Sequence, residues 1–267
     1  MTKIQEHQEL FKTKAPLIGC VHFMPLPGTP HYDPTVSMAE HVKRAKREAK
    51  ALEEAGFDAI IFANEGDRPY LFEVGPEIIA SYTRIATEVI QDVNIPYGCG
   101  VLMDAKAAIS IANAIGAKFI RGYISGTYSD TYGFHQIRPA DIYRFKKNIG
   151  ADDVRLYSYF SAHGGVILDD RGIERVVEDA LGVLEPAGIL VTDKAGTTPD
   201  FEQVITLKKN HPNTPVLITS GINNSNVKQA LEIGDGCVVG TNLKYDGIIW
   251  NEIDPERAKK FVETARG

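Results

Sequence analysis

The sequence has few of the residues that mark secreted, membrane-spanning or disulfide-bonded proteins. It contains three cysteines, Cys20, Cys99 and Cys237, and each lies within an apolar run. An odd number of cysteines inside candidate strands argues against a disulfide framework and indicates reduced thiols, so we expect a cytoplasmic protein. No uninterrupted apolar stretch approaches the ~18 residues of a membrane-spanning helix, and we find no signal peptide.

Basic residues and linkers are also scarce. The chain has 29 Lys and Arg against 35 Asp and Glu, a formal net charge of −6, without a block of like charges. Binding to the phosphates of nucleic acids needs a basic face, so we expect no nucleic-acid partner. No Pro/Gly/Ser-rich linker divides the chain, whose length of 267 residues is close to the ~250 of one α/β barrel. We therefore expect a single domain over residues 1–267.

What the sequence does contain is an alternation of short apolar runs with amphipathic segments. The apolar runs predict strands at residues 17–23, 58–63, 96–102, 118–121, 154–160, 188–192, 216–219 and 236–239. The amphipathic segments predict helices at residues 38–55, 76–91, 104–115, 139–149, 172–184 and 200–210, from residue 223 onward, and at residues 255–265. Eight such units predict parallel strands joined by crossover helices, in an α/β fold of the (β/α)8, or TIM-barrel, type.

The competing architecture is a doubly wound open sheet. That fold would want a glycine-rich turn after the first strand, where residues 24–34 hold four prolines and one glycine. Residues 1–14 carry Ile4, Leu10 and Phe11 loosely on one helical face. We expect them to form a short helix that lies across the bottom of the barrel or covers a partner subunit, which leaves a homo-oligomer open.

Two glycine turns near the carboxyl end of the chain predict an anion site. The residues are Ser220, Gly221 and Ile222 after the seventh predicted strand, and Gly240, Thr241 and Asn242 after the eighth. Glycine lets the backbone approach a ligand, and the N–H groups of a following helical turn suit an anion. The loops after strands seven and eight of such barrels commonly form a phosphate site. We therefore expect a small phosphorylated ligand.

Ionisable residues lie at or just past the carboxyl ends of the other predicted strands, which meet at one mouth of a barrel. They are His22, Glu65, Asp67, Asp104, Arg121, His163 and Asp193. Carboxylates and histidines in a partly dry mouth can act as acid and base, and an arginine can bind an anion. Scaffold roles compete: Glu65 and Asp67 could cap the next helix, Asp104 could be an N-cap, and Arg121 could form an ion pair.

Cofactors and the longest predicted loop are less defined. We predict no cofactor; a divalent metal stays possible because several of these side chains could converge, although no local zinc or calcium spacing is present. Residues 122–138 are long for a connection of this kind, which usually spans ~2–6 residues. Their aromatic side chains, from Tyr123 to Phe134, could stack on a sugar or base, or could pack on each other.

Several motifs together resemble the BtpA family. They are His22 with Pro25-Leu26-Pro27-Gly28, residues 64–69 (NEGDRP), Phe119-Ile120-Arg121, Ser220-Gly221, Asp235-Gly236, Val239-Gly240-Thr241 and Lys244-Tyr245-Asp246-Gly247. The resemblance spans about residues 17–265 and implies a TIM barrel of the ribulose-phosphate-binding style. It also implies two kinds of role. Cyanobacterial members are linked to photosystem I biogenesis, and relatives elsewhere are labelled nucleosidases or nucleoside triphosphatases.

The chain departs from the family pattern in two places. Family members usually carry Glu-Asn where this chain has Asn64-Glu65, and Arg-Asn-Asp where it has Leu102-Met103-Asp104. The substrate groups held by those residues are therefore expected to differ.

Two functions follow from the sequence. The first is an enzyme that acts on a sugar phosphate or nucleotide-like metabolite by acid/base chemistry. The second is a non-catalytic assembly or stability factor for a protein or membrane complex.

Overall fold

The structure, a computed structural model, describes residues 1–162, 164–193, 197–198 and 200–267. Its strands are β1 (Leu17–His22), β2 (Ala59–Ala63), β3 (Tyr97–Gly100), β4 (Phe119–Tyr123), β5 (Thr127–Asp130), β6 (Gly133–Gln136), β7 (Arg155–Tyr159), β8 (Val166–Ile167), β9 (Gly188–Val191), β10 (Val216–Thr219) and β11 (Cys237–Val239). Its α-helices are α1 (Lys3–Phe11), α2 (Met38–Ala55), α3 (Pro76–Val89), α4 (Ala105–Ile115), α5 (Pro139–Asn148), α6 (Ile173–Val183), α7 (Phe201–Asn210), α8 (Val227–Ile233) and α9 (Pro255–Arg266).

Within these described residues, eight parallel strands close into a barrel in the order β1-β2-β3-β4-β7-β9-β10-β11. The first and last strands complete the ring, because Gly19 is in register with Ile60 of β2 on one side and with Val239 of β11 on the other. Helices connect the barrel strands and pack outside. The predicted (β/α)8 barrel is therefore confirmed, and the open sheet is excluded.

Small and large side chains alternate between neighbouring strands inside the barrel. Successive residues of a strand face opposite sides, so every second residue points inward. Phe119 and Tyr157 are two large inward residues, and both are buried. A Cβ built on Gly98 would lie 2.4 Å from the Phe119 ring, and one on Gly188 would lie 2.6 Å from the Tyr157 ring. The two rings therefore fill space that these glycines leave open.

The N-terminal helix α1 closes the bottom of the barrel. Phe11 is buried and stacks edge-on against Phe119, with ring centroids 5.3 Å apart. His7, also buried, has its Nδ1 2.9 Å from the Tyr157 hydroxyl and its Nε2 2.8 Å from the carbonyl oxygen of Asp235. A carbonyl oxygen only accepts, so Nε2 carries the proton. The expectation of a helix across the bottom of the barrel is thus met within one chain.

The long segment after β4 contains regular structure that the sequence analysis missed. Strands β5 and β6 form an antiparallel hairpin, and β8 pairs with the other edge of β5. One face of this small sheet is buried: Tyr128 packs on Tyr123, with centroids 4.7 Å apart, and His135 stacks on Phe72 at 4.5 Å. Tyr123 and Tyr128 therefore pack on each other, whereas Tyr132 packs on Tyr70 from outside the segment. Phe134, on the opposite face, is 73% exposed.

No helix in the described part of the chain is both long enough and apolar enough to cross a lipid bilayer. The thiols of Cys20, Cys99 and Cys237 are buried and free.

We predict that His7 makes the protein less stable in mild acid. Burial lowers the pKa of His7 to about 4, whereas the unfolded chain takes up the proton near the ordinary value. The unfolded state therefore binds more protons between these two values, and stability falls as the pH falls through them. Between about pH 7.5 and about pH 5 this residue alone is expected to remove about 2 kcal/mol of unfolding free energy.

Urea unfolding of the wild type and of His7→Gln at both pH values measures how much His7 contributes to the pH dependence of the unfolding free energy, because glutamine does not titrate. The difference between the two pH values should be smaller in the variant. An equal pH dependence in both proteins would contradict the assignment.

Candidate functional site

The last inward-facing ring of the barrel places His22 and Arg121 in its mouth. His22 ends β1, and Arg121 lies two residues above Phe119 on β4, so both share the inward face. A glycine again makes room for one of them. A Cβ built on Gly240, just past β11, would lie 3.0 Å from Cε1 of His22, whereas one on Gly100 would be in ordinary contact with Arg121 at 3.5 Å. The position of His22 therefore depends on Gly240.

His22 is almost fully buried and incompletely bonded. Its Nε2 lies 3.9 Å from Oε2 of Glu65, which is too long for a hydrogen bond. Its Nδ1 is buried and makes no hydrogen bond of good geometry among the described residues, although the backbone of Ile249 lies close enough to the imidazole to raise its pKa slightly. Burial, followed by the charges of Lys244 and Arg121, holds the pKa of His22 well below its usual value. The imidazole is therefore neutral at neutral pH.

Glu65 follows β2 in a single 3-10 turn, Glu65–Asp67, and its side chain is 17% exposed. The Tyr70 hydroxyl donates a hydrogen bond to its Oε1 at 3.2 Å. Burial raises the pKa of Glu65, against the opposing charges of Arg121 and Lys244. The carboxyl group thus lies beside His22 with an increased tendency to hold a proton.

Arg121 keeps its charge in spite of its surroundings. Burial by itself would lower its pKa, but Tyr159, Cys20 and Glu65 raise the pKa of Arg121 above its ordinary value. A guanidinium that stays cationic at the mouth can stabilise an anion in front of it. His22, Glu65 and Arg121 are the members of the predicted set that the structure brings together.

Two other predicted carboxylates have scaffold contacts on both oxygens. Asp67 accepts hydrogen bonds from the backbone N–H of Leu26 at 2.8 Å and from Nδ2 of Asn64 at 2.9 Å. Burial raises the pKa of Asp67 to about 6. Asp104 is the N-cap of α4: it accepts from the N–H of Ala107 and, through its second oxygen, from that of Val74, each at 3.0 Å. These two side chains join loops at the mouth.

The remaining predicted residues are less defined. Asp193 lies two residues beyond β9 and is exposed, and its carbonyl oxygen accepts a hydrogen bond from the Thr192 hydroxyl at 3.1 Å. His163 lies outside the described residues. In the part of the chain that is described, no three His, Cys, Asp or Glu side chains come together as a metal site.

The two glycine turns lie side by side. Ser220 and Gly221 both have left-handed backbone, with φ of 68° and 61°, and Ile222 is buried below them. After Gly240, the second turn forms a 3-10 turn, Thr241–Leu243. Nδ2 of Asn242 donates to Oδ1 of Asn224 at 3.0 Å, which ties the second turn to the loop that follows the first. Gly240 also contacts His22, so both turns border the same mouth.

A buried ion pair that was not predicted from the sequence lies below the mouth. Nζ of Lys244 donates to Oε2 of Glu48 at 2.6 Å, and the two side chains are 0% and 1% exposed. The same Glu48 oxygen lies 3.3 Å from the backbone nitrogen of His22, which donates to it. The pair therefore joins α2, the end of β1 and the loop after β11. Its only sequence signal is a charged residue on the inner face of α2.

We predict that Lys244→Met destabilises the protein by about 3–5 kcal/mol, because it removes the cation bonded to Oε2 of the buried Glu48 carboxylate and leaves that carboxylate with Arg44 alone, 3.5 Å from Oε1. Adding Glu48→Met should recover part of that loss, since the buried pair is then replaced by apolar side chains. Urea unfolding of the wild type, both single variants and the double variant gives the coupling energy. A double variant whose loss equals or exceeds the sum of the single losses would argue against a coupled pair.

Comparison with known proteins agrees with the motifs. The profile of the BtpA family matches residues 13–267. The sgc region protein SgcQ of Escherichia coli strain K12 is 33% identical over 257 residues, which cover 96% of each chain. The photosystem I biogenesis protein BtpA of Synechocystis is 30% identical over 259 residues, 96% of this chain and 89% of that protein.

The fold is also found in solved enzyme structures. Phosphoribosyl anthranilate isomerase superposes with a TM-score of 0.56 over 95% of this chain and 99% of that chain, at 13% identity. Such a likeness establishes the barrel architecture. Because the family profile matches this chain over nearly the whole of its 267 residues, the chain belongs to the BtpA family.

Proposed function

We propose that the protein is an enzyme that acts on a small phosphorylated metabolite, a sugar phosphate or a nucleotide-like compound, by acid/base chemistry. The observation that carries this proposal is the His22–Glu65 pair beside Arg121, held out of water at the mouth of the barrel. Burying ionisable groups costs free energy unless they are paired and hydrogen-bonded. A barrel used only as a scaffold would gain nothing from an incompletely bonded set of this kind.

The altered pKa values suggest a division of roles. The raised pKa of Glu65 brings its titration closer to neutral pH, so we assign proton transfer to this carboxyl group. The lowered pKa of His22 favours a neutral imidazole, which can donate a hydrogen bond to an oxygen that gains negative charge. Arg121 would stabilise the same charge. In this proposal a carboxyl group, and not a histidine, transfers the proton.

The phosphate of the substrate would bind between the two glycine turns. Supporting this, Thr241 and Asn242 open a helical turn, and the first N–H groups of such a turn have no partner within it. Thr241 is exposed at the rim, whereas Gly240 lies against His22. A phosphate at this rim would hold the rest of the substrate over His22 and Glu65.

We predict that Thr241→Glu weakens binding of sugar phosphates at least tenfold, because it adds a like charge within several ångströms of the phosphate. Thr241→Gln is the matched neutral control and should bind like the wild type. Thermal shift with a panel of sugar phosphates and nucleotides, followed by calorimetry on those that bind, measures the effect. If no compound of the panel stabilises the wild type, or if both variants bind equally, the proposed phosphate site is wrong.

A second candidate function is a non-catalytic assembly factor. One observation favours it: the outer face of the β5–β6–β8 sheet exposes Phe134 and Val166, with Val166 58% exposed. The two residues lie on the same face of the sheet, on the two strands that flank Ser129 of β5. The name of the Synechocystis relative, a photosystem I biogenesis protein, agrees with such a role.

Two variants separate these functions. In a strain that lacks the gene, we expect Glu65→Gln to fail to restore function, because it removes the proton-transferring group without a change of shape. Phe134→Ser should restore function, since an exposed side chain contributes little to folding. The reverse result, with Glu65→Gln active and Phe134→Ser inactive at equal protein levels, would favour the assembly factor.

A further inference from the structure

A small cavity opens beside His22, on the side of the mouth formed by β1, β2 and the loop before α9. Its volume is about 80 Å³, and its lining includes His22, His31, Arg44, Glu65, Arg68 and Trp250. A water molecule occupies about 30 Å³ in the liquid, so the cavity accommodates a group of a few heavy atoms. Its polar lining is mainly basic.

Arg68 is held in this cavity without a carboxylate partner. Its guanidinium carbon lies 3.6 Å from the centroid of the Trp250 ring. Among the described residues, no Asp or Glu oxygen is within 4 Å of its nitrogens. A guanidinium stacked on an aromatic face keeps its N–H groups at its rim, where they match the oxygens of a carboxylate or phosphate. The structure thus fixes the cation and leaves its donors available.

Neighbouring contacts hold the platform in place. Arg44 donates a hydrogen bond to the carbonyl oxygen of Trp250 at 2.8 Å, which fixes the loop that carries the ring. The buried Nδ1 of His22, which makes no hydrogen bond of good geometry in the described chain, is a second polar group that a ligand would satisfy. Glu65 is the carboxyl group among the described lining residues, and its raised pKa reduces its repulsion of an anion.

We propose that this cavity is an anion subsite that binds a carboxylate or phosphate group of the substrate, with Arg68 on Trp250 as its principal donor. The inference rests on the proposed function, because it adds a second negative group to the phosphate at the Thr241 rim. His22 lines the cavity and lies beside Gly240, so both subsites border this imidazole. The substrate class is therefore a small metabolite with two anionic groups.

The chain contains a reporter for this subsite, since Trp250 is its single tryptophan. We expect sodium phosphate or sodium acetate, titrated against sodium chloride at matched ionic strength, to change the Trp250 fluorescence in a saturable way. The anion that saturates at the lower concentration identifies the group. Arg68→Gln should weaken that response at least tenfold. Arg84→Gln, which removes an exposed arginine paired with Glu88 on α3, is the control and should respond like the wild type.

The outcomes separate this inference from the proposed function. A Trp250 response that Thr241→Glu leaves intact supports an independent subsite, even if sugar phosphates fail to bind at the rim. No saturable response in the wild type, or equal responses in the wild type and Arg68→Gln, overturns the inference and leaves the Thr241 site standing. If Arg68→Gln does not fold, Arg68→Lys replaces it. That variant keeps the charge but loses the planar fork, so binding should weaken several-fold; unchanged binding would overturn the assignment.

Discussion

Glycines on or just past neighbouring strands make room for large side chains inside the barrel, and this steric constraint acts in both the core and the mouth. In the lower rings, Phe119 and Tyr157 occupy the space above Gly98 and Gly188. The same pairing of a large side chain with a glycine occurs at the top ring. There His22 lies against Gly240, and a Cβ on that glycine would be 3.0 Å from the imidazole. The glycine that borders the proposed phosphate site therefore also positions the imidazole.

The buried charges of the mouth divide into a satisfied set and an unsatisfied set. Lys244 and Glu48 are paired at 2.6 Å, and Glu48 also accepts from the backbone of His22. His22 and Glu65, by contrast, remain 3.9 Å apart, with Nδ1 of His22 unbonded in the described chain. Native proteins leave few buried polar atoms without a partner, so such a group needs a reason. A ligand that completes these contacts would supply it.

The sequence predicted the barrel because eight apolar runs recur between amphipathic segments, and this periodicity is local. The hairpin at residues 127–136 escaped prediction, since its strands are short and largely polar and its stability comes from rings brought together by the fold. The mouth could be located from strand ends, but roles could not be assigned. Asp67 and Asp104 resemble Glu65 in sequence, yet their oxygens cap backbone groups. The pair of Glu48 with Lys244 joins residues 196 positions apart, which no local pattern reveals.

The two places where the chain departs from the usual BtpA residues are in contact with each other. Oδ1 of Asn64 accepts a hydrogen bond from the backbone N–H of Leu102 at 2.8 Å, and its Nδ2 donates to Asp67. A change at position 64 therefore alters a contact with the backbone at position 102, so the two departures are not independent. In this chain the amide serves as the scaffold and the carboxyl group of Glu65 faces His22. Members with the opposite order would present the amide there instead, so we expect them to hold a different group of their substrate at this point.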